Sequence, residues 1–132
     1  MFGYHGRYLR VDVTSGNSDW VPLTEDVLRR FIGGVGLAAY LLHREAPAGV
    51  DPLAAESPLI FCLSPLVGTP LTTSAKFAVV AKSPLTDRIN DALSSSHFAI
   101  AAKKAGCDAI VILGACDEPS VLVIDDGRVS IE

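Results

Sequence analysis

Apolar positions along the chain switch between a period of two and a helical period, so strands and short helices alternate. Tyr8 to Val13 alternates as a strand, and Thr14-Ser-Gly-Asn17 breaks it. Asp19 to Pro22 can return beside it as a hairpin partner. Thr24 has the short hydroxyl side chain that caps a helix start. Glu25 and Asp26 follow where they complement the helix dipole, and Gly33 lies just past the end. Val27, Leu28 and Phe31 share one face of that helix. A second helix is expected over Val35 to Arg44, with Leu37, Tyr40 and Leu41 as its stripe and Pro47 ending it. Leu59 to Leu63 and Phe77 to Ala81 are continuously apolar, as buried strands are.

The last third continues the alternation. Ser94 to Lys104 suits a helix with Phe98, Ala101 and Ala102 inward, stopped by Gly106. Ala109 to Leu113 reads as a buried strand. Val121 to Ile124 and Arg128 to Ile131 flank Asp125-Asp-Gly127, a hairpin signal because Asp-Gly supplies positive φ at the turn. Pro47 to Pro58 is rich in proline and acid and reads as a surface connection. The pattern gives an alternation of strands and short helices.

Composition narrows the function classes. At 132 residues the chain makes one domain, able to bury roughly two-thirds of its unfolded surface. Apolar residues are 49% and charged ones 20%, which excludes disorder as the default state. The net charge of −4, with no basic stripe, points away from nucleic acid. No apolar run approaches the roughly 20 residues that cross a bilayer, and the start Met-Phe-Gly-Tyr-His-Gly-Arg is not a secretory leader. No membrane partner is expected, and the expected compartment is the cytoplasm.

Cysteine usage excludes a metal cluster built from this segment alone. Cys62, Cys107 and Cys116 form no C-x-x-C pair. Cys62 lies in an apolar run, and Cys107 and Cys116 flank a strand, too far apart for one disulfide or one metal. All three are read as reduced thiols, mainly buried. His43 is expected on the surface, His5 has no motif partner, and Trp20 and the tyrosines are read as packing residues. No acid–base pair or activated nucleophile can be assembled, so no catalytic residue is assigned.

The candidate chemistry lies in Lys82-Ser-Pro-Leu-Thr86, Ser94-Ser-Ser-His-Phe98 and Lys103-Lys-Ala-Gly106. They read as a tight turn, a serine cluster starting a short helix, and basic residues at its end. A helix start leaves N–H groups unpaired at the positive end of the dipole, a cradle for a phosphate-bearing ligand. His97 lies beside it, where an imidazolium would assist an anion and a neutral surface histidine would not. An ordinary capped helix accounts for the same serines.

The surrounding sequence resembles the N-terminal domain of the tungsten-containing aldehyde ferredoxin oxidoreductases. The resemblance rests on Gly6-Arg7-Tyr8-Leu9-Arg10-Val11-Asp12-Val13, Gly33-Gly-Val-Gly-Leu-Ala38 with Tyr40-Leu-Leu42, and Val50-Asp-Pro-Leu53. Pro65-Leu-Val-Gly-Thr69, Val79-Val-Ala-Lys-Ser-Pro-Leu-Thr86 and Ala105-Gly-Cys-Asp-Ala-Ile-Val111 continue it in order along the chain.

That resemblance implies an α+β domain of mixed β-sheets with short helices, in which two related sheets form a base for a tungsten (or molybdenum) bis-pterin. It further implies that separate domains carry the cysteines of a four-iron cluster. The implied reaction oxidises an aldehyde to a carboxylic acid and passes electrons through the cluster to ferredoxin. The family's pterin-contacting arginine falls on Lys76, which keeps the charge but loses the bidentate fork. An Asn-Ser-Gly-Gly run falls on Leu93, Ser94, Ser95 and Ser96. Its asparagine gives a main-chain carbonyl to magnesium, a role that Leu93 can fill with the same atom. At Ser95 and Ser96 two readings stand: the hydroxyls hydrogen-bond the phosphate, or the cradle has decayed.

In the family the chain continues into the second half of the same domain. Residues 1–132 therefore correspond to a partial or truncated pterin-platform domain, inactive by itself. Two functions follow from the sequence: part of an oxidoreductase, partnered by the remainder of the enzyme, or a stand-alone binding or assembly module without catalysis. A homodimer that supplies the missing half is a further expectation.

Overall fold

The computed structural model describes residues 3–125 and 127–132. Strand β1 (Arg7–Asp12) turns through Thr14–Gly16 into β2 (Asn17–Pro22), and the two pair antiparallel. Helices α1 (Glu25–Phe31) and α2 (Gly34–Glu45) follow. Then come β3 (Leu59–Leu63), β4 (Lys76–Lys82), β5 (Ile89–Ser95), α3 (His97–Lys104) and β6 (Ala109–Leu113). A hairpin of β7 (Leu122–Asp125) and β8 (Arg128–Ile131) closes the chain, while Asp126 in its turn lies outside the described residues.

Six strands form one mixed sheet in the order β2-β1-β6-β3-β4-β5, and β7-β8 forms a separate two-stranded sheet. Among the described strands only β1 and β6 run parallel, Tyr8 beside Ala109 and Asp12 beside Leu113. Alternation sends side chains to two cores. Tyr8, Ile60, Cys62, Ala78, Val80, Ala109 and Val111 face α1 and α2, with Leu28, Leu37 and Leu41 packed over them. Leu9, Val11, Phe77 and Ile110 face α3 and the β7–β8 hairpin, against Ala99 and Ala102. This two-sided burial explains why the central strands are continuously apolar.

Local signals explain the helix ends. Thr24 Oγ1 accepts from Val27 N at 3.4 Å, as its cap role predicts. Gly33 lies just past the end of α1, as expected, after the C-cap residue Ile32, whose φ is positive (62°). Gly33 is extended, and glycine is needed there because a Cβ would lie 2.7 Å from Leu63 O. The α1–α2 corner thus rests directly on the end of β3.

Two expectations fail together. Ser94 and Ser95 end strand β5, and the helix expected from Ser94 starts at His97 with Ser96 as its cap. Ile89-Asn-Asp-Ala-Leu-Ser-Ser has little strand propensity. It is extended because the buried strand β4 needs a partner for its outer backbone groups, from Lys76 opposite Ser95 to Lys82 opposite Ile89. The later start rotates the helix: Ala99 and Ala102 are buried, whereas Ala101 is exposed. Phe98 is exposed on one side, yet its ring lies 4.9 Å from Phe77 and 5.5 Å from Phe61.

Candidate functional site: the Lys76–Ser95 corner

Lys76 opens β4 and Ser95 closes β5, directly across the ladder. Lys76 Nζ donates to Ser95 Oγ at 3.1 Å. The chain then turns: Ser96 N donates to Ala75 O at 3.2 Å, and Ser96 Oγ accepts from Phe98 N at 3.2 Å. This hydroxyl caps the first turn of α3; alternation puts Lys76 and Ser95 on the Ala78 face of the sheet, whereas α3 packs on the Phe77 face. Lys76 is exposed and has no carboxylate within salt-bridge distance among the described residues. The corner is locally positive and open, and these donors fit an anion such as a phosphate.

The expected site residues are only partly brought together. Lys76, Ser95 and Ser96 share the corner. Ser94 lies opposite Phe77 and projects to the other face of the sheet from Ser95. Leu93 lies opposite Ala78 with its side chain 72% exposed. His97 begins α3 and is exposed.

Lys82-Ser-Pro-Leu-Thr86 belongs to a different place. It is the β4–β5 turn, six residues along β4 from Lys76 and so about 20 Å away. Ser83 Oγ accepts there from Leu85 N and Thr86 N at 3.3 Å, and Lys82 Nζ pairs with Asp87 at 2.6 Å. Lys103 also leaves the expected cradle. At the far end of α3 it points into the protein, donating to Asp108 Oδ1 and Gly3 O at 2.8 Å. Neither basic segment reaches the serines.

Two polar networks escaped sequence reasoning. Asp108, 2% exposed, accepts from Lys103 and from the backbone N–H groups of His5 (3.0 Å) and Gly6 (2.8 Å), tying the chain start to β6. An acid between a helix stop and a buried strand, in Gly106-Cys-Asp-Ala109, was the available signal. In the second network, buried Tyr8 donates to Glu45 Oε1, and Arg10 Nε donates to Glu45 Oε2 at 2.9 Å. Burial, then the hydrogen bond to Glu45, raises the Tyr8 pKa. Arg10, Asp12, Thr14, Glu45 and Glu56 line an open cleft there, remote from the Lys76 corner in the fold.

The thiols agree with the sequence. Cys62 and Cys107 are buried and Cys116 is exposed, all free. Burial, then the Asp108 charge, pushes Cys62 to about 12 and Cys107 to about 11. No group of three or more His, Cys, Asp or Glu side chains that could hold a metal occurs among the described residues. None of the described helices is long and apolar enough to cross a membrane.

An α+β domain built on a six-stranded mixed sheet, with an exposed lysine–serine pair at one corner, is the class that fold and site define. Residues 8–132 match the family model described as aldehyde ferredoxin oxidoreductase, N-terminal domain, and the chain belongs to that family. It is 40% identical over 131 residues to the tungsten-containing aldehyde ferredoxin oxidoreductase of Pyrococcus abyssi, covering 99% of this chain and 22% of the relative. The Pyrococcus furiosus enzyme of the same name is 39% identical with the same coverage. The aliphatic sulfonate oxidoreductase, WOR-like subunit, of Pyrococcus furiosus is 37% identical, covering 99% of this chain and 21% of the relative. Among solved structures, the active site complex BamBC of benzoyl coenzyme A reductase with 1,5 dienoyl-CoA superposes with a TM-score of 0.92. It is 31% identical over 98% of this chain and 20% of that one. This chain therefore spans about a fifth of the length of these relatives.

Proposed function

We propose that this chain forms part of the base for a tungsten (or molybdenum) bis-pterin in an oxidoreductase that turns aldehydes into carboxylic acids. The supporting observation is the Lys76–Ser95 pair beside the start of α3, within a domain of this family. Lys76 would neutralise a pterin phosphate, and Ser95 would orient one of its oxygens. Ser96 caps the start of α3 and so fixes where the chain turns after Ser95. Leu93 offers a main-chain carbonyl to magnesium, and Ser94 lies next to it on the cofactor strand. When bound, the metal–pterin group supplies the two-electron redox chemistry.

The remainder of such an enzyme encloses the corner, carries the iron–sulfur ligands and hands electrons to ferredoxin in the cytoplasm. Residues 1–132 are one portion of that platform. The corner's openness agrees with a half-site. Elemental and pterin analysis of the longest native form tests the reading. Tungsten or molybdenum with two pterins per metal is expected; a metal-free and pterin-free protein would overturn it.

A further inference from the structure

Strand β5 has little of its own to hold its end in place. Its seven residues are exposed, and toward the α3 face it offers Asn90, Ala92 and Ser94, none of them a core side chain. Yet Lys76 Nζ meets Ser95 Oγ at 3.1 Å only while Ser95 stays opposite Lys76. The first large apolar side chain after the strand is Phe98. Its ring centre lies 4.9 Å from that of Phe77 and 5.5 Å from that of Phe61, tilted 56° and 58° to them. Phe61 and Phe77 are diagonal neighbours on β3 and β4, with ring centres 6.3 Å apart, so the three rings close a triangle on that face. Tilted rings at such separations gain more than their buried area alone gives.

We propose that Phe98 is the positioning residue of the Lys76–Ser95 corner, setting from the opposite face of the sheet where β5 ends. For its ligand this role rests on the cofactor reading of the corner; for its geometry it rests on the contacts alone. Phe77 follows Lys76 directly, and Phe98 comes shortly after Ser95 in the chain. The ring pair therefore joins the ends of β4 and β5 on one face, while the lysine and the serine meet on the other. Between them, Ser96 N donates to Ala75 O at 3.2 Å, one step beyond the Lys76–Ser95 pair. The rest of α3 is held in the core by Ala99 and Ala102, whose small side chains make few contacts. A ring packed on two others fixes the first turn of α3 where alanines cannot.

Loss of the ring leaves the helix cap intact, because Ser96 Oγ accepts from the backbone N–H of Phe98 and not from its side chain. Phe98 is 40% exposed, so its removal opens a shallow notch instead of a sealed cavity, and the fold persists. What the loss frees is the junction: the Ser96 N–H opens from Ala75 O, and Ser95 is no longer held opposite Lys76. Phe98→Tyr keeps the ring triangle, with its hydroxyl free to reach water on the open side.

Residue-resolved amide exchange and calorimetry on the longest native form test the proposal. In Phe98→Ala, exchange at Ser96 is expected to quicken about tenfold or more relative to the Val13 amide, which bonds Leu113 O at the far end of the sheet. Magnesium pyrophosphate affinity is expected to fall about threefold or more in Phe98→Ala, with no further loss when Lys76→Ala is already present, as coupled residues behave. Phe98→Tyr should restore both readouts. Equal quickening at Ser96 and Val13, additive losses in the double variant, or a Phe98→Tyr protein that behaves like Phe98→Ala would overturn it. So would a loss of affinity in Lys76→Ala with none in Phe98→Ala. If Lys76→Ala leaves affinity unchanged, the cofactor reading fails by itself, and the exchange ratio still decides the role of Phe98.

Discussion

Lys103 Nζ and Asp108 Oδ1 lie 2.8 Å apart, their side chains 12% and 3% exposed, one closing α3 and the other just before β6. The carboxylate is also the acceptor for His5 and Gly6 backbone donors. It therefore joins three elements: the start of the chain, the end of α3 and the central strand.

Asp108→Ala strands a nearly buried ammonium and two backbone N–H groups at once. Removing one partner of such a pair costs about 3–5 kcal/mol. Urea unfolding should show that loss, and Asp108→Asn should lose less because it keeps one carbonyl acceptor. Equal stability of Asp108→Ala and the parent would refute the latch.

The anion corner makes its own forecast. Lys76→Ala removes the charge and Ser95→Glu adds a like charge to the anion. Both should weaken binding of magnesium pyrophosphate to the longest native form by about tenfold or more in calorimetry, a charge-assisted contact being worth about 1.5–3 kcal/mol. Unchanged affinity in both variants would mean a decayed cradle, the other reading of Ser95 and Ser96.

Legibility followed how local each cause was. Val121 to Ile131 was readable because Asp-Gly chemistry and alternation agree within a dozen residues, and β7 and β8 formed there. Leu59 to Leu63 was readable because burial on both faces leaves a continuous apolar run. β5 was not: its seven residues are exposed, and only the hydrogen-bonding demand of β4 extends them. That one hidden strand displaced the helix start from Ser94 to His97 and separated the Lys82 turn from the serines. Lys76 and Ser95 could be matched to a family motif, but their 3.1 Å contact depends on a strand register set 19 residues apart. Lys103 misled because a basic residue at a helix end is indistinguishable in sequence from one that turns inward.

Buried thiols set an alkaline limit. Cys62 and Cys107 stay protonated in the native state to about 12 and 11, against 9.0 when exposed. Unfolding therefore releases protons above pH 9. Their stabilising contribution is complete below pH 9 and is lost as pH rises through the native values. Between pH 9.5 and 10.5 the two should remove about 2–3 kcal/mol. Cys62→Ala should flatten this decline while lowering stability at neutral pH. Iodoacetamide should label Cys116 in the native protein and the other two only after unfolding. Rapid native labelling of all three would contradict the burial argument.

The 132-residue protein itself is expected to give no aldehyde-dependent dye reduction. Oxidising an aldehyde to an acid removes two electrons, and a chain must hold a group that accepts them. The described residues contain no group of three or more His, Cys, Asp or Glu side chains that could hold a metal, and the three free thiols are spread over the buried core and one surface loop. On the proposed reading the Lys76 corner binds and orients a phosphate, and its lysine and serine side chains supply no acceptor for electrons. Reconstitution should follow the same logic: adding pterin to this chain alone gives binding at the Lys76 corner without turnover. Dye reduction by chain purified to constant specific activity, surviving removal of contaminating enzyme, would show an electron acceptor within these residues.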